Sequence, residues 1–150
     1  MSRKTIILIA LLFIAPVIIY FVFPTDESRI KKLFRQGAKA VEDRKIEDVM
    51  SKVSFTYSDE HGLSYALIKD AMTRIFGSMK GIKVEYEIKG LDINKEKAVV
   101  ELDLRVIATY EKDTGYFIGD AAKPVRVRFF LEKEAVGWQV VKTEGLTPGI

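Results

Sequence analysis

Cysteine is absent from this 150-residue chain, and histidine and tryptophan occur once each, as His61 and Trp138. Without cysteine there is no disulfide framework, no thiolate nucleophile and no site for a cysteine-linked lipid, although such chains suit oxidising and reducing compartments alike. A single histidine cannot supply the usual four-ligand set of a structural zinc site, so no metal is expected. There is no Gly-rich strand-to-helix loop and no GKS or GKT run, which argues against a nucleotide, and no other cofactor is expected. Internal repeats and low-complexity stretches are missing as well.

Charge is missing from one place only. Residues 5–23, TIILIALLFIAPVIIYFVF, run for 19 positions without any. A helix rises about 1.5 Å per residue and bilayer hydrocarbon is about 30 Å thick, so this run can cross a membrane once. A cleavable signal peptide would have an apolar stretch of about 7–15 residues followed by a small-residue cleavage site. Arg3 and Lys4 supply the charged start of one, but the exit Tyr20-Phe21-Val22-Phe23-Pro24-Thr25 lacks the small residues. Residues 1–25 are therefore read as a retained transmembrane anchor, and residues 26–150 as one domain carried on it. Arg3 and Lys4 on one side face Arg29, Lys31, Lys32, Arg35 and Lys39 on the other, which favours an inward domain. Long domains cross largely regardless of such charges, and the first four residues look like an ordinary signal start. The reading taken is a single-pass membrane protein whose domain is extracytoplasmic, periplasmic or external.

Beyond Pro24 lie 22 basic and 21 acidic residues, mixed along the chain. Nucleic-acid binding needs a clustered basic face, so no nucleic-acid partner is expected. Ile30, Leu33, Phe34, Ala38 and Val41 recur at three- and four-residue steps and predict a helix over 26–44 with one apolar stripe and a basic opposite face. Ile46, Val49, Met50 and Val53 predict a shorter second helix. Leu67, Ile68, Ala71, Met72, Ile75 and Phe76 predict a third, with Ser64 as N-cap and Gly77 or Gly81 as its stop.

After Gly81 the period becomes two. Ile82, Val84, Tyr86 and Ile88 alternate with Lys83, Glu85, Glu87 and Lys89, and three more strands follow: Val100 to Tyr110, Val125 to Leu131, and Trp138 with Val140. Asn94-Lys95-Glu96 and Glu134-Ala135-Val136-Gly137 suit hairpin turns, so the sheet should be antiparallel. Parity places Glu101, Asp103, Arg126 and Arg128 on the outer face, able to pair across strands. Val99, Ile107, Phe130 and Val141 share that face and offer a homodimer contact. The expected architecture is α+β: a transmembrane helix, then three helices on one face of a curved four-stranded antiparallel sheet.

The order of these elements, with AVEDRKIEDVMSKVS leading into FTYSDEHGLSYALIKDAM and then KAVVELDLRV and VRVRFFLEKEAVGWQVVKTE, resembles the nuclear transport factor 2-like superfamily over Ile30 to Glu144. The resemblance implies a cone in which a bent, cystatin-like sheet wraps the helices and leaves a cavity at its open end. Members of this superfamily include isomerases, dehydratases, carrier-binding modules and membrane-anchored scaffolds, so the resemblance alone implies no chemistry. The isomerase branch uses a tyrosine, a strand acid and a loop aspartate. Here the tyrosine position falls on Gly37, and the third strand offers Val125, Val127 and Phe129 without a carboxylate. Asp59 falls near the loop acid. For the dehydratase pairing of histidine and carboxylate, His61 with Asp59 is the only local candidate, in a loop marked by Gly62 where a lone histidine is ordinarily solvated.

The candidate lining of the cone is Tyr57, Asp59, His61, Tyr65, Tyr86, Tyr110, Phe129 and Trp138, aromatic walls with a few polar tips that suit a small apolar ligand. Trp138 should face the helices with its N–H towards the cavity mouth. Tyr116, Phe117 and Ile118, in the long connection 111–123, are candidate partner contacts. The function these residues favour is a non-catalytic, membrane-anchored cell-envelope domain for protein assembly or hydrophobic ligand binding. Its partners would be the membrane, a second copy through the sheet, or an envelope protein. The alternative is an isomerase- or dehydratase-like enzyme acting on an apolar substrate. If the anchor is retained and the domain exported, the protein stays in the membrane fraction after alkaline extraction, and protease added to intact spheroplasts degrades the domain. Release of a soluble product beginning near Thr25 would reject the anchor, and protection of the domain would reject the orientation.

Overall fold

The charge-free run forms a single helix in the computed structural model, which describes residues 1–146: α1 spans Arg3–Val22, is capped by the Ser2 hydroxyl and runs unbroken through Pro16. None of its side chains is buried. The helical stretch that begins at Arg3 is long and apolar enough to cross a membrane. Helix α2 (Asp26–Glu42) follows after Phe23, Pro24 and Thr25. Its start is favoured twice, by the Thr25 hydroxyl accepting from the Ser28 N–H and by Asp26 and Glu27 at the positive end of the helix dipole. Helix α3 (Ile46–Met50) is shorter than the spacing of Val53 predicts, because Val53 leaves the helix to bridge Val140. Helix α4 (Tyr65–Ser78) starts at the expected Ser64 cap and runs through Gly77 to Ser78.

The five strands are β1 (Gly81–Asn94), β2 (Lys97–Tyr110), β3 (Asp113–Ile118), β4 (Val125–Glu134) and β5 (Gly137–Glu144), all antiparallel. The order is β1-β2-β4-β5, and β3 pairs with β2 alone. Four strands were expected, and the fifth comes from the connection 111–123. Glu111 adopts a left-handed φ of 46°, so a two-residue turn folds Asp113 back onto Tyr110. Residues 97–104 of β2 then pair with β4, and residues 106–110 of the same edge pair with β3.

Two bulges overturn simple alternation. In β1 the register slips between Ile88 and Gly90, so Lys89 is the extra residue and the inward parity switches to Leu91 and Ile93, which pack on the core. The strand thus continues five residues past the predicted Lys89, to Asn94. In β5 the slip between Val140 and Lys142 leaves Val141 at a bulge. Without it Lys142 would continue the inward row of Trp138 and Val140. With it, Lys142 lies over the Phe130 ring at 5.3 Å and Thr143 turns inward.

Ile30, Leu33 and Phe34 of α2 pack on Val100, Leu102, Val127, Leu131, Trp138 and Val140 of the inner sheet face. Phe34 meets Phe129 edge to face at 5.1 Å. A smaller cluster joins Ala40, Val49 and Phe76. The outer face carries the expected ladder of ion pairs: Arg126 Nε to Asp103 at 2.5 Å, Arg128 to Glu101 at 3.2 Å and to Glu144 at 3.5 Å. Exposed pairs of this kind contribute about 0–1 kcal/mol each.

The first residue of α2 is tied to the sheet. Trp138 Nε1 donates to Asp26 Oδ1 at 3.1 Å, and Lys133 Nζ approaches the same oxygen at 3.0 Å. Trp138 is 6% exposed, so its indole is core and its N–H meets a carboxylate where a cavity mouth was expected. The Lys133 and Trp138 hydrogen bonds hold the Asp26 carboxyl below its usual range. A depressed carboxyl contributes stability above its unfolded value near 3.8 that is lost as pH falls through the folded value, so acid loosens this tie. Trp138→Ala should cost about 3–5 kcal/mol, whereas Trp138→Phe, which keeps a ring and loses the N–H, should cost less. Thermal melts of the two variants check this. Equal and small losses would mean that the indole is not core.

Candidate functional site

The loop between α3 and α4 holds the polar candidates, and its geometry follows from local sequence. Residues 52–58 run alongside β5, with Ser54 N–H donating to the Val140 carbonyl at 2.9 Å and Ser58 N–H to the Val141 carbonyl at 3.2 Å. The chain then turns at Asp59-Glu60-His61-Gly62, where Gly62 takes a φ of 74° that a side chain would strain. Asp59 organises this turn. Its Oδ1 accepts from the His61 N–H at 2.9 Å and the Leu63 N–H at 3.0 Å, and its Oδ2 accepts from the Tyr57 hydroxyl at 3.0 Å.

Tyr57 is 4% exposed and its hydroxyl also lies 2.6 Å from Thr143 Oγ1. A carboxylate only accepts, so the phenol proton goes to Asp59 and Thr143 donates to the phenol oxygen. Burial pushes the Tyr57 phenol up to about 12, and the adjacent Asp59 adds to the shift. His61 is exposed, with Nε2 at 3.1 Å from the Leu146 carbonyl and 3.6 Å from Glu60 Oε1. Its ring therefore turns away from Asp59, and the two side chains form no proton-transfer pair. The loop position expected of Asp59 and His61 is correct. Asp59 does more there than an ordinary surface carboxylate, because it satisfies two backbone donors and a buried hydroxyl.

The other candidates scatter. Tyr65 packs on the core edge and lies 4.7 Å from the ring of Phe55, which is itself 82% exposed. Tyr86 and Phe129 pack against the main core from β1 and β4. Tyr110 is exposed at the end of β2 beside the β3 turn, on the order of 40 Å along that strand from the end where Trp138 meets Asp26. Among the partner-contact candidates, Tyr116 is exposed opposite Ile107, Phe117 sits at a bulge, and Ile118 pairs with Val106. Gly119 follows with a φ of 73°, its position for a Cβ 3.2 Å from the Leu104 carbonyl, which suits the turn out of β3 to glycine.

Sequence reasoning missed one concavity, of about 360 Å³, lined by Asp43, Arg44, Ile46, Thr73, Phe76 and Gly77. Arg44 has a left-handed φ of 54° and donates from its guanidinium to the Met79 carbonyl, closing the α2–α3 turn onto the start of the sheet. Only the pattern Asp-Arg-Lys between two apolar periods signals a turn there, and nothing in it signals a site. A second concavity, lined by Leu8, Leu12, Pro16 and Tyr20 among others, belongs to the surface of α1. Among the described residues no three His, Asp or Glu side chains converge in a way that could hold a metal ion.

No family profile matches the chain, and no curated protein matches it. Solved structures do. A domain of unknown function with a cystatin-like fold from Nostoc punctiforme is 22% identical, covers 79% of this chain and 74% of its own, and superposes with a TM-score of 0.62. A conserved protein from Planctomyces limnophilus is 12% identical over 79% and 92%, with a TM-score of 0.68. A provisionally named dehydratase of the nuclear transport factor 2-like family from Streptomyces avermitilis is 10% identical over 79% and 93%, with a TM-score of 0.64. At these identities the likeness shows the fold alone, which is the cystatin-like, nuclear transport factor 2-like one.

Asp59→Ala should cost about 1–3 kcal/mol by orphaning two backbone donors and the phenol, while His61→Ala should stay within about 0.5 kcal/mol. A raised tyrosine favours the protonated fold, so its contribution is complete below pH 10 and is lost as pH rises from 10 to about 12. Melting temperatures across that range should fall less steeply in Tyr57→Phe. An unchanged alkaline limb would remove the phenol from the account.

Proposed function

We propose that this chain is a membrane-anchored, non-catalytic domain of the cell envelope that serves protein assembly, with capture of a small apolar ligand as its secondary capacity. The observation that carries the tethered reading is α1, where Leu8, Leu12, Phe13, Ile19 and Phe21 are all more than half exposed. Apolar surface of this extent has no place in water and suits lipid. Placement outside the cytoplasm rests on the weak bearing of flanking charge on export of a long domain.

The non-catalytic reading is supported by what the candidate acid already does. A general base must be free to face a substrate proton, whereas Asp59 gives two acceptor sites on Oδ1 to its own loop and one on Oδ2 to the buried Tyr57 hydroxyl. Assembly is preferred to ligand capture because Tyr57 and Trp138, two of the candidate pocket walls, belong to the packed core together with Ile30 and Leu33, while Phe129 packs against it. The surfaces left for a partner are the exposed Tyr116 and the outer-face row around Val99, Ile107 and Phe130, where either a second copy or another envelope protein would bind. The dehydratase name of one structural relative supports the enzyme reading only through shared fold.

Photo-cross-linking from Tyr116 and from Phe130, in the full chain in its own membrane, tests this. The expected result is a protein adduct of discrete size, at twice the chain mass for a homodimer and at another mass for a different partner. Turnover of an apolar carbonyl compound by the purified chain, lost in Asp59→Asn with folding intact, would overturn the proposal in favour of the enzyme.

A further inference from the structure

We infer that the end of the sheet made by the β1–β2 and β4–β5 turns rests on the bilayer surface at the C-terminal side of α1, with the Val136 side chain seated among lipid headgroups. This rests on the reading of α1 as a membrane anchor. Helix α1 ends at Val22 and α2 begins at Asp26. The three residues between them reach about 10 Å when fully extended, so Asp26 stays close to the bilayer whatever angle the helices make. Asp26 is in turn held by Lys133 at 3.0 Å and by Trp138 at 3.1 Å. These two residues are partners in the β4–β5 ladder, one step from the turn Ala135-Val136. The Lys133 N–H donates to the Glu96 carbonyl at 2.8 Å and so draws the β1–β2 turn to the same end.

The chemistry of this end suits a lipid surface. Hairpin turns are normally polar, yet Val136 stands at this tip and is 82% exposed. Around it Lys95, Lys97 and Lys133 stand with Glu96, Glu132, Glu134 and Asp26, so the patch carries no positive excess. Lysine stems can lie along the interface while their ammonium groups reach the headgroup layer. A patch without basic excess gains nothing from anionic lipid, and the contact should not depend on it. One valine is a weak hold, but the anchor makes the contact intramolecular and its effective concentration high.

The cysteine-free sequence permits a clean test. Single cysteines replacing Leu12, Val136 and Lys112 in the full chain carry an environment-sensitive fluorophore, in phosphatidylcholine vesicles containing nitroxide lipids. Lys112 lies in the β2–β3 turn, at the other end of the 14-residue β2, and serves as the distant control. The inference expects quenching of Leu12 by deep nitroxides, quenching and blue-shifted emission of Val136 with shallow ones, and neither at Lys112. Adding phosphatidylserine should change nothing, and Asp26→Ala should weaken the Val136 signal. An unquenched, red-emitting Val136 label beside a quenched Leu12 label overturns this inference and leaves the anchor standing. A Leu12 label in water overturns both. Equal quenching at Val136 and Lys112 overturns the upright pose, since the domain would then lie flat.

Discussion

The hydrogen bond from the Trp138 indole to Asp26 joins two things that would otherwise be independent: the first turn of α2, which follows α1 after three residues, and the last hairpin of the sheet. Asp26 serves as a helix-dipole partner, as the acceptor for a buried N–H, and as the counter-ion of Lys133. Each role alone is modest, but together they give the indole N–H the polar partner it requires, a half-buried carboxylate. With the node in place, the apolar stripe of α2 lies along the inner sheet face from Ile30 to Ala40. The node ties the start of the domain to its last hairpin, whatever angle α1 makes with α2.

What could be read without coordinates was whatever depends on period. The stripe of α2, the Ser64 cap and the alternation of Ile82, Val84, Tyr86 and Ile88 are local patterns, and the structure has each of them. What failed was parity across an irregularity. Nothing about Lys89 or Val141 announces that one residue will drop out of the ladder, because a bulge is set by what the neighbouring strand and the helices above demand. Gly90 was the one faint signal in β1. The third strand was hidden for a related reason. Asp113 to Ile118 has little alternation, and its pairing depends on the tight turn at Glu111 and the free far half of β2.

The candidate site was legible as a set of residue types and not as a place. Aromatic residues that suit a pocket suit a core equally, and Tyr57 and Trp138 are packed in one cluster with Ile30, Leu33 and Phe34 of α2. Asp59 and His61 sit two residues apart in sequence, but the turn sends one side chain to the buried Tyr57 and the other out to the Leu146 carbonyl. The tie to Asp26, between residues far apart in the chain, likewise had no sequence signal.

The central claim is that the domain is held against the membrane through Asp26, and the single tryptophan of the chain reports on it directly. Trp138 emission is read in the full-length protein in bilayers, quenched in turn by shallow nitroxide lipid and by acrylamide in the water. The account predicts quenching by the lipid and protection from acrylamide, both diminished in Asp26→Ala. Free quenching by acrylamide with none from the lipid would contradict it.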